Sequence, residues 1–154
     1  MKVEVREMRG SDAEQVVDIV RGLAQHIRTD VVPQLTAELL NANRELVDVA
    51  VAEREGRLLG ACLTLMTFST WRGAKGVYVV DLFVAPDARG GKIGQRLLKF
   101  AATKAMSLGA RFIKLEVDVT NEGAMRFYER LGFSRKEPDR LLVLEEEKLR
   151  TFVA

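Results

Sequence analysis

The stretch VYVVDLFVAPDARGGKIGQRLLKFAATKA, Val77 to Ala105, constrains the fold more than any other part of the chain. A dense apolar run ends near Val84, Pro86 interrupts it, and Gly90 and Gly91 follow. Beyond them Ile93, Leu97, Leu98, Ala101, Ala102 and Ala105 recur at helical spacing, so the stretch reads as strand, tight turn and helix. The start of a helix leaves backbone N–H groups without partners, aimed along the positive end of its dipole. That geometry binds anions, phosphate above all, and glycine lets a ligand approach the main chain closely. Arg89 and Lys92 add charge, the first as a planar fork and the second as a point donor. Taken alone, the loop has two readings, a plain turn or a phosphate site. The GxxxxGK[ST] pattern of nucleoside-triphosphate loops is absent. So are a GxGxxG after the first strand and an acidic residue spaced to hold a ribose.

The rest of the chain supplies the context. Val3 and Val5 alternate with charged residues, the period of a half-buried strand. Ser11 to Glu14, SDAE, has the pattern of a capping box, and the apolar series after it predicts a helix to about Ile27. Thr36 to Leu46 reads as a second, shorter helix. Val47–Glu53 and Arg57–Phe68 read as a hairpin about Glu55-Gly56, followed by a loop, Ser69 to Gly76. After the central helix, which stops at Leu108-Gly109, Arg111 to Val119 alternates as a strand. Asn121 to Phe133 opens on an Asn cap and closes on Leu131-Gly132, and LLVLEEEKL reads as a last strand. The order is βααβββαβαβ, a mixed α/β fold.

Length and composition bound the class. A chain of 154 residues, 47% hydrophobic and 30% charged, without linker or repeat, is expected to form a single domain over residues 1–154. No run of about 18 apolar residues occurs and the N-terminus lacks a signal-peptide pattern, so no membrane partner and a cytoplasmic location are expected. Cys62 reads as a buried thiol, and one Cys with one His, His26, builds none of the usual zinc sites, so no metal is expected. A net charge of +2 argues against a nucleic-acid partner, as does the lack of an aromatic stacking series.

A second motif at a fixed remove separates the two readings of the loop. VAPDARGGKIGQRLL followed by LEVDVTNEGAMRFYERLGF resembles the acetyl-CoA-binding core of the GNAT superfamily of N-acetyltransferases. The family's first motif, [QR]xxGx[GA], is met by Arg89 and Gly94 at its ends, with Lys92 where a glycine is usual. Its second, NxxAxxFYxxxGF, is met by Asn121, Ala124, Phe127, Tyr128, Gly132 and Phe133. The resemblance implies a mostly antiparallel central sheet flanked by helices, and acetyl-CoA as cosubstrate. The amides of Gly90, Gly91, Lys92, Ile93 and Gly94 would hold the pyrophosphate. Arg89 would lie beside them, Leu82, Phe83 and Val84 would run along the pantetheine arm, and Asn121 and Tyr128 would contact the coenzyme. It also allows a homodimer.

The catalytic expectations follow from the same resemblance. Tyr128 is implied as proton donor to the leaving thiolate, although Phe127-Tyr128 also suits two core aromatics. The strand Tyr78 to Val84 resembles the YxEDxFV strand of diamine and related small-amine acetyltransferases, whose glutamate assists deprotonation. Here Val80 stands at that position and only Asp81 remains. Simple alternation would place Asp81 and Val80 on opposite faces, and Asp81 reads either as a base or as a hydrogen-bonded structural carboxylate. Glu116 and Asp118 share a face with Lys114 and read as a solvated row. His26, Trp71 and Asp81 are candidates for the acceptor side. The expected reaction is direct acetyl transfer to a primary amine of a small molecule. The alternatives are a peptide amine, an aminoglycoside, or a noncatalytic acyl-CoA-binding module.

Overall fold

The computed structural model describes residues 2–27, 32–136 and 140–154, and their side chains except those of 23–27. Internal packing divides the chain into two compact units, Met1–Glu116 and Val117–Ala154.

The first unit is built on a five-stranded sheet in the order β1-β2-β3-β4-β5. Its strands are β1 (Glu4–Glu7), β2 (Asp48–Arg54), β3 (Arg57–Ser69), β4 (Ala74–Val84) and β5 (Ala110–Leu115). The first three junctions are antiparallel, and β4 with β5 is parallel, joined by the crossover helix α3 (Ile93–Ser107). Two helices precede β2, α1 (Ala13–Ile27) and α2 (Ala37–Ala42). The expected mixed, mostly antiparallel sheet with flanking helices is therefore present. Among the described residues no helix is long and apolar enough to cross a membrane.

The helices form because their apolar residues fall on one side. Val16, Val17, Ile19 and Val20 of α1 are buried, and Val16, Ile19 and Val20 join one cluster with Val49, Val51, Ala61, Leu63 and Phe83 of the sheet. On α3, Ile93, Leu97, Leu98, Ala101 and Ala105 are buried, and Ala105 packs with Val77 and Ala110.

A β-bulge allows β4 to serve both layers. Thr64 pairs with Val79 but its neighbour Leu63 pairs with Asp81, so Val80 is an extra residue without a cross-strand partner on β3. Directly paired residues share a face, whereas neighbours on one strand oppose each other. Val77 and Val79 therefore face the α3 layer, while Asp81 and Phe83 face the α1 layer. Simple alternation, the basis for setting Asp81 against Val80, does not hold across this point.

Local chemistry accounts for other departures from the sequence reading. The box expected at Ser11 and Glu14 lies one turn earlier: the Asp12 carboxylate accepts from the backbone N–H of Arg9 at 2.7 Å in a short 3-10 turn. Asp12 is also held by Arg6, whose guanidinium reaches Glu53 of β2 as well, tying β1 to its neighbours. That guanidinium keeps both carboxyls below their usual range. The second helix is shorter than Thr36 to Leu46, with Thr36 Oγ1 capping Leu39 N–H at 3.1 Å. The Ser69 to Gly76 loop narrows to 70–73, because Ala74 and Lys75 already pair with Ser69 and Phe68. Glu55 (φ 52°) and Gly56 (φ 81°) supply the two left-handed positions of a tight hairpin turn, as expected.

Gly76 is required by packing. A Cβ there would collide with Cζ of Phe112, whose ring lies against the β4 backbone and carries the Arg72 guanidinium 4.5 Å from its centroid. Gly76→Ala should displace the ring and destabilise the fold by about 2 kcal/mol, lowering Tm by roughly 5 °C. The double variant Gly76→Ala/Phe112→Leu should recover part of that loss in thermal unfolding. An unchanged Tm in the single variant would contradict this packing.

The second unit holds α4 (Glu122–Arg130) and α5 (Glu146–Val153). Asn121 Oδ1 caps α4 by accepting from Ala124 N–H at 3.1 Å. Gly132 (φ 101°) ends it, with Gly132 N–H bonded to the Glu129 carbonyl and Phe133 N–H to that of Tyr128. The last strand expected at LLVLEEEKL is not formed: residues 141–145 have no regular structure and α5 starts at Glu146. That segment does not alternate, four apolar residues being followed by three glutamates. Glu146 and Glu147 suit the positive end of a helix dipole, and Arg150 bonds Glu146 one turn away at 2.6 Å.

Candidate functional site

The site is best built outward from Val80. Pairing between β4 and β5 runs from Lys75 to Val79 and stops at Leu115, so β5 is shorter than the expected Arg111 to Val119. Beyond it, Val80 is unpaired and Asp81 to Val84 are paired on the β3 side alone. Bulges bend strands and increase their twist, which accounts for the two strands parting where they do. The open edge, with Leu82 and Val84 half-buried and Phe83 buried, offers main-chain groups to an extended ligand.

The edge leads directly into the turn. Ala85 N–H bonds the Leu59 carbonyl at 2.7 Å, and Pro86–Ala88 make a single 3-10 turn. Arg89 then folds back, its Nε donating to the Val84 carbonyl at 3.1 Å with its guanidinium 5.9 Å from the Phe83 ring centroid. Gly90 has φ 90°, and a Cβ on it would meet nothing within 4 Å. Helix α3 begins without a side-chain cap, and the N–H groups of Gly90 to Gly94 find no partner among the described residues. A 15-residue helix whose first turn is uncapped and entered through exposed glycines is a ready anion cradle. Lys92, the residue before the helix, has φ 61° and ψ 18°. The position at which the motif usually has a glycine is thus left-handed here with a side chain in place, and Lys92 is exposed at the rim.

Asp81 lies at the start of the open edge, on the α1 face. It is half-buried and accepts no hydrogen bond among the described residues. Burial pushes its carboxyl up to about 6. On the same face Tyr78 donates its hydroxyl to Glu116 Oε1 at 2.9 Å, and burial followed by that bond pushes the phenol up. The pair was not visible as a site in the sequence, where Glu116 read as part of a solvated row. The clue was the parallel partnership of Tyr78 with Lys114, which brings Glu116 one step further along the same face. Asp118 makes a turn instead, accepting from the Thr120 N–H and hydroxyl. Cys62 is 1% exposed and its thiol is pushed up to about 12 by burial, as suits an inert core group.

The structure therefore brings Asp81, Leu82, Phe83, Val84, Arg89, Gly90, Gly91, Lys92, Ile93 and Gly94 together along one strand, turn and helix start. Trp71 stands apart. It is 100% exposed at the β3–β4 hairpin tip, roughly 20 Å or more along β4 from Asp81. The side chain of His26 lies outside the described residues. In the second unit, Tyr128 is half-buried with edge-to-face contacts to Phe127 and Phe133, at centroid distances of 5.1 and 5.4 Å. Asn121 spends Oδ1 on the α4 cap, and its amide N–H₂ has no bond among the described residues.

Comparison with known proteins places this geometry in context. The model of the acetyltransferase (GNAT) family matches residues 14–133. A thialysine N-epsilon-acetyltransferase of Mus musculus is 30% identical over 141 residues, covering 83% of this chain and 82% of the relative. An aminoalkylphosphonate N-acetyltransferase of Salmonella typhimurium is 33% identical over 103 residues, covering 64% and 62% respectively. Among solved structures, an integron cassette protein from the mobile metagenome of V. cholerae superposes with a TM-score of 0.80 at 25% identity, over 99% of this chain and 98% of that one.

Proposed function

The chain belongs to the acetyltransferase (GNAT) family and is an N-acetyltransferase, and from that premise we propose that it moves an acetyl group from acetyl-CoA directly to a primary amine of a small molecule. The observation that carries the reading is a half-buried carboxylate, Asp81, without a hydrogen bond among the described residues and placed at the head of an open strand edge that runs into an uncapped glycine turn. The names of the relatives, which act on thialysine and aminoalkylphosphonates, support a small amino compound as acceptor.

Bound acetyl-CoA supplies an acetyl group already activated as a thioester. The amides of Gly90 to Gly94 bind the pyrophosphate at the positive end of α3, with Arg89 and Lys92 adding charge at the rim. Main-chain groups of Leu82 to Val84 hold the pantetheine arm as a strand would. An alkyl ammonium has a reference pKa of ~10.4, so the attacking nitrogen must lose a proton on the enzyme. Asp81 takes it, while Glu116 and Tyr78 on the same face make the surroundings favourable to a cation. By the family resemblance, Asn121 would hydrogen-bond the coenzyme and Tyr128 would donate its phenolic proton to the departing sulfur.

A thiol of pKa ~8.5 needs limited help to leave, so Tyr128→Phe should lower kcat on the order of 10²-fold with little change in the KM for acetyl-CoA. Full turnover in that variant would remove the acid role. The whole reading is tested by thiol release from acetyl-CoA over a panel of amines, with coenzyme A binding measured by calorimetry in parallel. Turnover on small amines is expected. Binding without turnover would favour a noncatalytic acyl-CoA-binding module, turnover only on peptides would move the acceptor class, and neither binding nor turnover would overturn it.

A further inference from the structure

The stalk of the glycine turn carries an acidic residue of its own. Asp87 is the middle residue of the 3-10 turn Pro86–Ala88, three positions before Gly90 and so at most about 11 Å from it along the chain. A carboxylate within about one Debye length of an anion cradle opposes the ligand. In this structure it does not stand alone. Arg57, the first residue of β3, grips it end-on, Nη1 to Oδ2 at 2.8 Å and Nη2 to Oδ1 at 2.9 Å. The partners are 30 residues apart in sequence and both are more than half exposed, at 53% and 59%. Exposed pairs add little stability, so a contribution to folding is a poor account of this one. The bidentate geometry, with the Asp87 carboxyl held below its usual range by Arg57, marks a pair that is formed rather than incidental.

Resting on the acetyl-CoA reading above, we propose that Arg57 is a positioning residue for the coenzyme. By neutralising and holding Asp87 it keeps the entrance of the glycine turn from repelling the pyrophosphate. Arg57 touches no ligand in this account and acts only through Asp87. Other cations near the turn do not grip Asp87: Arg54 acts on it only through space, and more weakly than Arg57. Arg89 is turned back onto the Val84 carbonyl, and Lys92 lies beyond Gly91.

The test is a charge cycle on the full chain. Coenzyme A affinity is measured by calorimetry at low and high salt for Arg57→Ala, Asp87→Asn and the double variant, with steady-state kinetics alongside. Arg57→Ala should weaken coenzyme A binding roughly five- to tenfold at low salt, and the difference should shrink at high salt. Its KM for acetyl-CoA should rise while kcat and the amine KM stay put, and its Tm should remain close to that of the wild type. Asp87→Asn should bind at least as tightly as the wild type, and the double variant should return to within about twofold of it. A single Arg57→Ala variant that binds like the wild type would overturn the proposal. So would a double variant as weak as Arg57→Ala, since Arg57 would then act on the ligand directly. A wild type that does not bind coenzyme A overturns the acetyl-CoA reading and this inference with it, which separates the two failures.

Discussion

Asp81→Asn is expected to lower turnover of the acceptor amine by roughly 10²- to 10⁴-fold and, at neutral pH, to make the folded protein more stable rather than less. The first effect follows from removing the group that accepts the amine's proton. The second follows from what the site imposes on that group. The carboxyl is pushed up to about 6 from an ordinary value of 3.8, and the cause is burial, with no compensating hydrogen bond among the described residues. Between about pH 4 and 6 the unfolded chain has lost this proton while the folded chain still holds it. Stability therefore falls as pH rises through that window, by at most about 3 kcal/mol, and is level above it. Asparagine carries no charge to desolvate, so the variant should lack the fall. Urea unfolding at pH 4, 5, 6 and 7 would show the two proteins converging at the acid end and separating towards neutrality. In the wild type, kcat/KM should rise with pH through about 6, and that limb should vanish in the variant. A variant that keeps its activity excludes Asp81 as the base. One that is destabilised at pH 7 would show a carboxylate with a structural partner.

How much of this was legible in the sequence depended on how local the cause was. The glycine turn, the Asn121 cap and the Leu131-Gly132 stop are each determined by residues within a few positions, and all three occur as read. So is the face of α3, since 3.6-residue spacing needs no knowledge of a partner. The orientation of Asp81 is different. It depends on the register of β4 against β3, where Thr64 and Leu63 meet Val79 and Asp81 and Val80 is left over. No pattern in VYVVDLF announces the bulge, because one added residue alters alternation only on one side of it. The Arg57–Asp87 pair was hidden for a similar reason: a β-hairpin and the end of β4 are needed to bring the two together. LLVLEEEKL misled in the opposite sense. Its apolar first half has strand composition, but the glutamates and Arg150 that follow favour one another at helical spacing.

Gly90→Val should weaken coenzyme A binding by about two orders of magnitude while leaving most of the fold's stability in place. Gly90 is exposed, and a Cβ built on it meets no protein atom within 4 Å, so no core contact is lost or strained by the substitution. The difficulty lies in the backbone. At φ 90° the residue is well inside the region that β-branched side chains avoid, and holding valine there would cost on the order of 1–3 kcal/mol. The turn would relax to a more extended path and carry the N–H groups of Gly90 to Gly94 out of convergence, losing several charge-assisted bonds together. The space left clear by glycine is also the space a phosphate needs, so a side chain there obstructs the ligand even where the turn is kept. Lys92 shows that the turn does tolerate a side chain at a left-handed position, at φ 61° and ψ 18°, where a single residue in the αL region is strained but attainable. The two positions therefore make different demands, one on conformation alone and the other on conformation and room. Calorimetry of Gly90→Val with coenzyme A, beside thermal unfolding of the same protein, separates them. A large drop in Tm with proportionate loss of binding would make Gly90 a folding residue, whereas lost binding at a nearly unchanged Tm is the signature of a cradle.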